Sequence, residues 1–435
     1  MPAPVNYTAA SAVAVMKQVI DTNIELVQNW EEGLDKRIAA ISAYDVGTEK
    51  FRAPVQLDQG GQVGGFNPDG GSLLQGTGPE YLQFIIVPVN HEVAITSTDL
   101  LNRISKAGGD RVIVRDVVSR LIGRTQKVMA HFRNCLLQGY NQGILATVDA
   151  TYAGGGSTTV QLANPSFGAR LLNLNNAYQV TDANMNVLAT VTVLDKTPPN
   201  PSTVDTVTLD NAPANLAAGC FFIPLNYASA VPVGPAGLQY LITASQAFDQ
   251  FGLERTLSQM QSPSVNAGGA TLSLGIVDSL DAKRALRLGM DADAGDNFYY
   301  TNPAQRVAAR KLGFAKVMVV TTSGTQPELD IAPERIGKNK RWTIGTTEVL
   351  EDSTAATDYV YNLVPSILGK ARYPASMKFM TGPIEGFWYQ RMINNLHTTT
   401  YDAHFQDSWQ VYSRNPWKHA VAHGLGIDAS LALAA

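Results

Sequence analysis

Hydrophobic residues recur at helical spacing in two long stretches of the chain. Over residues 11–42, apolar side chains follow one another at steps of three and four, with charged side chains on the opposite face. This pattern predicts one amphipathic helix, which needs a partner surface in its own subunit or in a neighbour. Over residues 110–142, a similar stripe predicts a longer helix that begins at the capping residue Asp110. At 1.5 Å per residue it would be roughly 45–50 Å long, so we expect a spine on which other elements lie.

Strand-like patterns flank a glycine-rich segment in the first quarter of the chain. Residues 51–57 and 81–97 are rich in β-branched and aromatic side chains, which is typical of strands. Between them, residues 58–80 contain eight glycines and two prolines. Loops of this length are uncommon inside compact domains. We expect a long hairpin arm that leads out to a flexible tip and back; the alternative is a disordered surface loop.

Residues 149–222 show no helical periodicity, and short strand patterns separated by Gly-, Pro- and Asn-rich turns predict a small β-domain inserted after the spine. Its predicted strands are residues 158–163, 177–180, 188–194, 205–210 and 220–225.

The remainder of the chain mixes helix and strand patterns. Residues 271–322 alternate between the two, and one helix there is predicted to begin at Asn302–Pro303 and to end at Gly313. Residues 338–427 are strand-rich.

Composition adds the first indication of an assembly. The chain has 435 residues, a length typical of roughly two to four domains. Charged residues make up 16%, against about 25% in an average soluble domain. The net charge of −4 argues against a protein that binds polyanions through bulk charge and against a disordered acidic chain. A surface so poor in charge favours burial against neighbouring subunits.

The cysteines and the hydropathy of the chain bear on metal sites, membrane-spanning segments and signal peptides. Cys135 and Cys220 are far apart and have no metal-ligand spacing, so we expect free, buried thiols in a reducing compartment. The sequence contains no run of 18 apolar residues, which a membrane-spanning helix would need, and no basic segment precedes the first apolar run. We therefore expect neither a membrane anchor nor a signal peptide.

The usual catalytic motifs are absent from the sequence, but two alternatives for metal binding stay open. Four histidines lie near the C-terminus, two of them at helical i, i+4 spacing, with aspartates close by in sequence. These residues are His397, His404, His419, His423, Asp402 and Asp407. Asp291, Asp293 and Asp296 are similar to a calcium loop, although Asn302 stands where a bidentate glutamate is wanted.

The spine helix is strongly basic. Its cations are Arg111, Arg115, Arg120, Arg124, Lys127 and Arg133. Such a face could bind nucleic acid, but aromatic side chains for base stacking are not interleaved with it. Contact with acidic side chains of a neighbouring element or subunit is the preferred interpretation.

Taken in their order along the chain, the predicted elements resemble those of the major capsid proteins of tailed bacteriophages, which have an α+β, HK97-like fold. The resemblance rests on residues 81–102 leading into 110–134, and on residues 270–289 followed by 298–313. No single motif is diagnostic; the order of the elements is. The resemblance implies an N-terminal helical arm at 1–50, an extended β-hairpin arm (E-loop) at 51–98, the spine helix with part of the P-domain at 99–149, an inserted β-domain at 150–223, the A-domain at 224–335, and remaining A- and P-domain strands with the C-terminus at 336–435.

The function implied by the resemblance is structural. Pentamers and hexamers of this one chain would form an icosahedral shell around packaged double-stranded DNA, without sequence-specific contacts, catalysis, cofactor, metal or membrane. The shell would assemble in the host cytoplasm and become part of the virion. A portal, a separate scaffolding protein and optionally a decoration protein would be partners. An encapsulin-like shell, a metal-dependent enzyme that uses the C-terminal histidines, and a DNA-binding protein that uses the spine arginines are the alternatives.

Contacts between subunits are expected at the arm tip and on the spine. The residues selected are Val63, Phe66, Asn67, Leu73, Leu74, Arg120 and Arg124. Some capsid proteins of this family cross-link through an arm lysine, but residues 51–105 contain no lysine. The sequence therefore argues against covalent cross-linking through the arm.

Overall fold

The structure is a computed structural model. It describes residues 34–35, 37–42, 51–55, 57, 80–84, 86–96, 125, 127–154, 156–163, 168–196, 205–226, 234–243, 249–288, 297–309, 342–344, 347–372, 378–379, 389–393 and 396–428.

Strands dominate the described residues, and four helical segments accompany them. In chain order the strands are β1 (Ala39–Ser42), β2 (Phe51–Val55), β3 (Glu80–Phe84), β4 (Val87–Thr96), β5 (Ala146–Thr147), β6 (Thr159–Leu162), β7 (Ala177–Thr181), β8 (Val187–Lys196), β9 (Asp205–Leu209), β10 (Phe221–Pro224), β11 (Ser264–Asn266), β12 (Phe298–Thr301), β13 (Trp342–Ile344), β14 (Thr347–Glu351), β15 (Val360–Leu363), β16 (Leu368–Arg372), β17 (Lys378–Phe379), β18 (Tyr389–Ile393), β19 (Leu396–Ser413) and β20 (Ala420–His423). The helices are α1 (127–138), α2 (Leu238–Leu241), α3 (Leu274–Leu288) and α4 (303–309).

The first sheet is organised around the 18-residue strand β19. β4 pairs with it antiparallel over ten residues, from Thr96↔Thr400 to Val87↔Trp409. β16, β17 and β18 pair with the opposite edge of β19, and β1 adds to the free edge of β16. The strand prediction for residues 81–97 is confirmed, but the segment forms two strands, because β3 pairs elsewhere.

The arm is confirmed as an antiparallel hairpin at its base. β2 and β3 pair from Phe51↔Phe84 to Val55↔Glu80. Alternate side chains of both strands are buried, as expected for a strand with one covered face. The tip, residues 58–79, lies outside the described residues.

The segment predicted as a small β-domain forms a small closed β-barrel between residues 146 and 224. Its sheet order is β5-β10-β7-β8-β9-β6, and the two end strands meet. The amide of Ala163 donates to the carbonyl of Thr147 at 2.8 Å, and the amide of Asp149 donates to the carbonyl of Gln161 at 3.0 Å. All five predicted strands are confirmed, and the two-residue strand β5 completes the closure. The barrel is filled by Val160, Leu162, Tyr178, Val180, Val191, Val193, Val207, Leu209 and Phe222.

The third sheet has the order β11-β20-β15-β12-β14-β13. The predicted helix within 271–289 is confirmed as α3, and the predicted strand 298–301 as β12. Asn302 caps α4 as predicted, since its Oδ1 accepts the amide of Ala304 at 3.0 Å. The predicted stop at Gly313 and the strand pattern that follows it lie outside the described residues.

Two predicted helices end differently from the sequence pattern. Residues 39–42 are not the end of an amphipathic helix: they form β1, which runs parallel to β16 from Ala39↔Gly369 to Ser42↔Arg372. Residues 11–33 lie outside the described residues. The spine helix ends at 138 and not at 142, because the chain turns at Gly139, where a Cβ atom would lie 2.5 Å from the carbonyl oxygen of Ile144. Residues 110–124 and 126 are not described.

Candidate functional site

The spine helix α1 carries a buried ion-pair cluster on the side that faces the first sheet. Arg133 lies with Nη2 2.6 Å from Asp35 and with Nη1 2.8 Å from Asp407 on β19. Lys370 on β16 completes the cluster, with Nζ 2.7 Å from Asp35. Four segments distant in sequence therefore share one set of charges. Removal of a single member would leave a buried charge unpaired.

Burial governs the ionisation of this cluster. Desolvation raises the pKa of Asp407, and the positive charge of Arg133 opposes that shift. Desolvation likewise lowers the pKa of Lys370, while Asp35 opposes it. Because each charged form is disfavoured by burial and favoured by its partners, the cluster depends on all of its members together.

A hydrogen-bonded cluster around Asp352 joins α1 to the third sheet. Asn134 donates to Asp352 at 2.7 Å and to the hydroxyl of Thr354 at 2.9 Å. Gln138, one turn further, donates to the hydroxyl of Tyr300 at 2.5 Å, and that hydroxyl donates to Asp352 at 2.8 Å. Neighbouring positions on the same helix, 133 and 134, thus fasten two different sheets.

The barrel is fastened to the same region through the turn before β7. Arg170 donates through Nε to the carbonyl of Thr354 at 3.1 Å. Within the barrel, Asp205 accepts the amide of Ala169 at 3.0 Å, and Lys196 donates to the carbonyl of Leu172 at 2.7 Å. These contacts hold the turn in place against the loop that follows β14.

An aromatic cluster anchors the base of the hairpin. The ring of Phe84 on β3 lies 5.1 Å from Phe51, 5.1 Å from Tyr412 and 4.9 Å from Phe251, measured between centroids. The amide of Gln83 donates to the carbonyl of Phe251 at 2.9 Å. Aromatic pairs in this range contribute beyond simple burial. The base of the hairpin is therefore held by contacts to β19 and to the segment after α2.

Among the described residues, Ser413 with His419 and Cys135 with His131 each combine a potential nucleophile with a potential base. In neither pair can the histidine activate the nucleophile. His419 accepts the amide of Val364 through Nδ1 at 3.2 Å, so the neutral ring carries its proton on Nε2, 3.1 Å from Ser413 Oγ. That nitrogen cannot take the proton of the hydroxyl. Cys135 lies 3.5 Å from His131, but burial raises the pKa of the thiol to about 12. The nucleophilic thiolate is therefore not formed near neutral pH.

The structure does not bring the C-terminal histidines together as a metal site. The i, i+4 spacing of His419 and His423 does not lie on a helix, because β20 begins directly after His419 and ends at His423. His397 and His404 lie on β19, in the other sheet, and Asp407 is committed to Arg133. The described residues contain no group of three or more His, Cys, Asp or Glu side chains that could hold a metal ion. Asn302 serves as a helix cap, and residues 291–296 are not described.

The predicted role of the spine cations is confirmed for Arg133, which contacts acidic side chains of neighbouring elements. Lys127 is exposed. The contact residues predicted for subunit interfaces, which include two spine arginines, lie outside the described residues, as do two further spine arginines. These residues are Val63, Phe66, Asn67, Leu73, Leu74, Arg111, Arg115, Arg120 and Arg124.

Sequence reasoning missed Asp35, Lys370 and the hairpin anchor. One signal was present: Lys370 stands between the small residues Gly369 and Ala371 in a strand, and a charge that becomes buried there requires a partner. Cys135 and Cys220 are free and buried, as predicted. Among the described residues, none of the helices has the length and apolar character needed to cross a membrane.

Comparison with solved structures places this arrangement in a known fold. The chain is similar to the capsid asymmetric unit of cyanophage A-1(L), with 12% sequence identity, a TM-score of 0.51 and coverage of 93% of this chain and 99% of that one. Two other similar structures are the capsid of a native GTA particle, with 10% identity, a TM-score of 0.45 and coverage of 96% of this chain and 98% of that one, and the holo-SrpI encapsulin complex from Synechococcus elongatus PCC 7942. The encapsulin has 9% identity, a TM-score of 0.43 and coverage of 95% of each chain. The cyanophage likeness shows a mixed α and β fold of the HK97-like capsid type, which confirms the predicted fold at that level. No family model and no curated protein matches the chain.

Proposed function

We propose that this protein is the major capsid protein of a tailed double-stranded DNA bacteriophage, and that it self-assembles into the icosahedral head that encloses the genome. The observation that carries the proposal is the structural likeness to a cyanophage capsid subunit over 93% of this chain and 99% of that one. The likeness extends over the whole order of elements, so it does not depend on one shared motif.

Each described unit has a role in this proposal. The β2–β3 hairpin is the base of the E-loop, which reaches over an adjacent subunit. The first sheet and α1 belong to the P-domain, and the third sheet with α3 and α4 belongs to the A-domain, near the five- and six-fold centres. The closed barrel is the inserted domain. The anchoring of the hairpin at its base supports this assignment, because an arm that binds a neighbour must leave its own subunit in a defined direction.

The proposed partners are further copies of the same chain, in pentamers and hexamers, together with a portal, a separate scaffolding protein and optionally a decoration protein. Heterologous contacts that close by rotation form such rings. The low charged fraction of 16% suits a surface that is largely covered by neighbours. DNA would be enclosed without sequence-specific contacts, and the burial of Arg133 in ion pairs within the subunit supports this view.

The geometry of the candidate nucleophiles supports a structural role and not an enzymatic one. The Nε2 proton of His419 points toward Ser413, and the thiol of Cys135 is buried with a raised pKa. Neither pair contains a group that could attack a substrate near neutral pH.

The proposal is tested by negative-stain microscopy and light scattering of the recombinant protein, alone and with a candidate scaffolding protein. Closed icosahedral particles, or rings of five and six subunits, are the expected result. A uniform monomer or dimer under every condition would overturn it. Particles isolated from the host should protect double-stranded DNA from nuclease; closed particles that enclose protein cargo and no DNA would instead establish the encapsulin-like alternative.

A further inference from the structure

A lysine amine and a carboxyl group are in direct contact where the segment before β1 meets β16. Nζ of Lys370 lies 2.7 Å from Oδ1 of Asp35 and also donates to the backbone carbonyl of Asp35 at 3.0 Å. Each of the two side chains is only 5% exposed. The residues are 335 positions apart in sequence, so a bond between them would close most of the chain into a loop.

The amine of Lys370 is placed close to the carboxyl carbon of Asp35 as well as to its oxygen. Cγ is bonded to Oδ1, so the Nζ–Oδ1 contact of 2.7 Å brings the nitrogen near the carbon. In reactive arrangements the two atoms that form a bond lie about 3–3.5 Å apart before they react. The second hydrogen bond, to the backbone carbonyl of Asp35, restricts the rotation of the amine and keeps it beside the carboxyl group.

Arg133 holds the other oxygen of the same carboxyl group. Its Nη2 lies 2.6 Å from Oδ2 of Asp35, on a guanidinium that is itself 8% exposed. The two oxygens therefore have different surroundings, with an amine at Oδ1 and a fixed cation at Oδ2. A donor in the position of Arg133 stabilises negative charge that develops on Oδ2 when a nucleophile adds to the carbon. Oδ1 is then the oxygen that can leave.

Burial favours the uncharged forms of this pair. Desolvation is the largest cause of the lowered pKa of Lys370, and the charge of Asp35 opposes it. A lysine amine is nucleophilic only without its extra proton, and burial is one way in which proteins produce that form. Replacement of a buried ion pair by uncharged groups is often neutral or stabilising. If an amide replaced this pair, Arg133 and Asp407 would remain as a balanced ion pair at 2.8 Å.

We propose that Lys370 and Asp35 form an intramolecular isopeptide bond once the chain has folded. A proton first passes from Nζ to Oδ1 along their hydrogen bond, which gives a neutral amine and a carboxylic acid. Nζ then adds to Cγ, and the electron pair of the carbonyl moves to Oδ2 beside Arg133. Asp407, bound to the same guanidinium, accepts the second amine proton and passes it to Oδ1.

The step is balanced without any co-reactant. The Nζ–Cγ bond forms, the Cγ–Oδ1 bond breaks, and Oδ1 leaves with both protons as one water molecule. Nothing is oxidised or reduced, and the amide oxygen Oδ2 stays on Arg133. This inference concerns the single subunit, does not depend on the proposed function, and involves no residue of the hairpin arm.

The bond is tested by the mass of the full-length protein, which is purified in its folded state and unfolded in acid before mass spectrometry. We expect the chain to be lighter than its sequence by one water molecule. Tryptic digestion should then yield the peptides that contain Asp35 and Lys370 as one branched species. An intact mass equal to that of the sequence would overturn the proposal, as would a loss of water that the peptides locate at another pair.

Two lysine variants provide the matched comparison. Lys370→Arg keeps a cation beside Asp35 but removes the amine, so we expect the full mass of its sequence. Lys196→Arg changes a lysine that donates to the carbonyl of Leu172, and this control should keep the loss of one water molecule. A loss of water that persists in Lys370→Arg would contradict the assignment. The decisive measurement is made on the unaltered protein, so the proposal is falsifiable even where a variant fails to fold.

Discussion

Arg133 on α1 and Asp407 on β19 form an ion pair of 2.8 Å in which the two side chains are only 8% and 0% exposed. They lie 274 residues apart in sequence. Since Arg133 also holds Asp35, one guanidinium joins the segment before β1, the spine helix and the longest of the described strands.

Replacement of Arg133 by methionine should therefore destabilise the subunit strongly. The buried carboxylate of Asp407 would lose its principal partner and Asp35 one of its two, and breaking a buried pair from one side costs about 3–5 kcal/mol. Urea unfolding followed by circular dichroism measures the loss. The control Arg37→Met removes an ion pair to Glu348 whose side chains are 30% and 28% exposed, and it should cost at most about 1 kcal/mol. Equal losses in the two variants would contradict the assigned role of the buried cluster.

Phe84→Ala should loosen the arm at its base. The side chain packs against three other aromatic rings, and the loss of a buried phenylalanine costs about 3–5 kcal/mol. Hydrogen exchange should become faster at the amide of Gln83, which donates to Phe251. Tyr81→Ala, on the same strand but 44% exposed, is the matched control and should leave that exchange rate nearly unchanged. Equal protection of Gln83 in both variants would show that the aromatic cluster is not the anchor.

His419 should make the subunit less stable in mild acid. Burial lowers its pKa to about 3 from the ordinary value of 6.5, with the charge of Arg284 as a smaller cause. Between these values the unfolded chain binds the proton and the folded chain does not. Stability therefore falls as pH decreases below 6.5, by about 1.4 kcal/mol per pH unit from this residue, and the contribution is constant above 6.5. Urea unfolding of the parent and of His419→Gln from pH 7 to 5 should give converging curves; parallel curves would contradict the prediction.

The arm tip should supply contacts between subunits, as the sequence predicts. Phe66→Ala and the double variant Leu73→Ser, Leu74→Ser are expected to raise the concentration needed for half-assembly by about tenfold or more, which corresponds to about 1.4 kcal/mol per contact. Light scattering and microscopy measure this shift. Val187→Ser, which removes a 49% exposed apolar side chain from the barrel, is the control. An unchanged assembly threshold in the tip variants would exclude these residues as contacts.

Elements with a strong local pattern were predictable. The barrel strands follow from alternating burial between turn residues, as in Asp205–Leu209, and α4 follows from the Asn302–Pro303 start. The hairpin base was predictable for the same reason, since a glycine-rich segment separates two strand-like runs. In each case, the residues that form the element also specify it.

Elements that are specified by a distant pairing partner were not predictable from the sequence. Leu34, Ile38 and Ile41 have helical spacing, yet β1 forms because its backbone pairs with β16, more than 300 residues away in the chain. The i, i+4 spacing of His419 and His423 likewise spans the start of a strand. Periodicity reports which side chains are buried and not what they are buried against.

The sequence by itself thus determined the local elements, the fold class through their order, and the low-charge surface expected of an assembly. The tertiary structure alone decided the closure of the barrel, the pairing of Arg133 with Asp35 and Asp407, and the pairing of β1 with β16. The physical reason is that hydrogen bonds and ion pairs between distant segments depend on how the chain folds back on itself, and this information is not contained in the spacing of neighbouring residues.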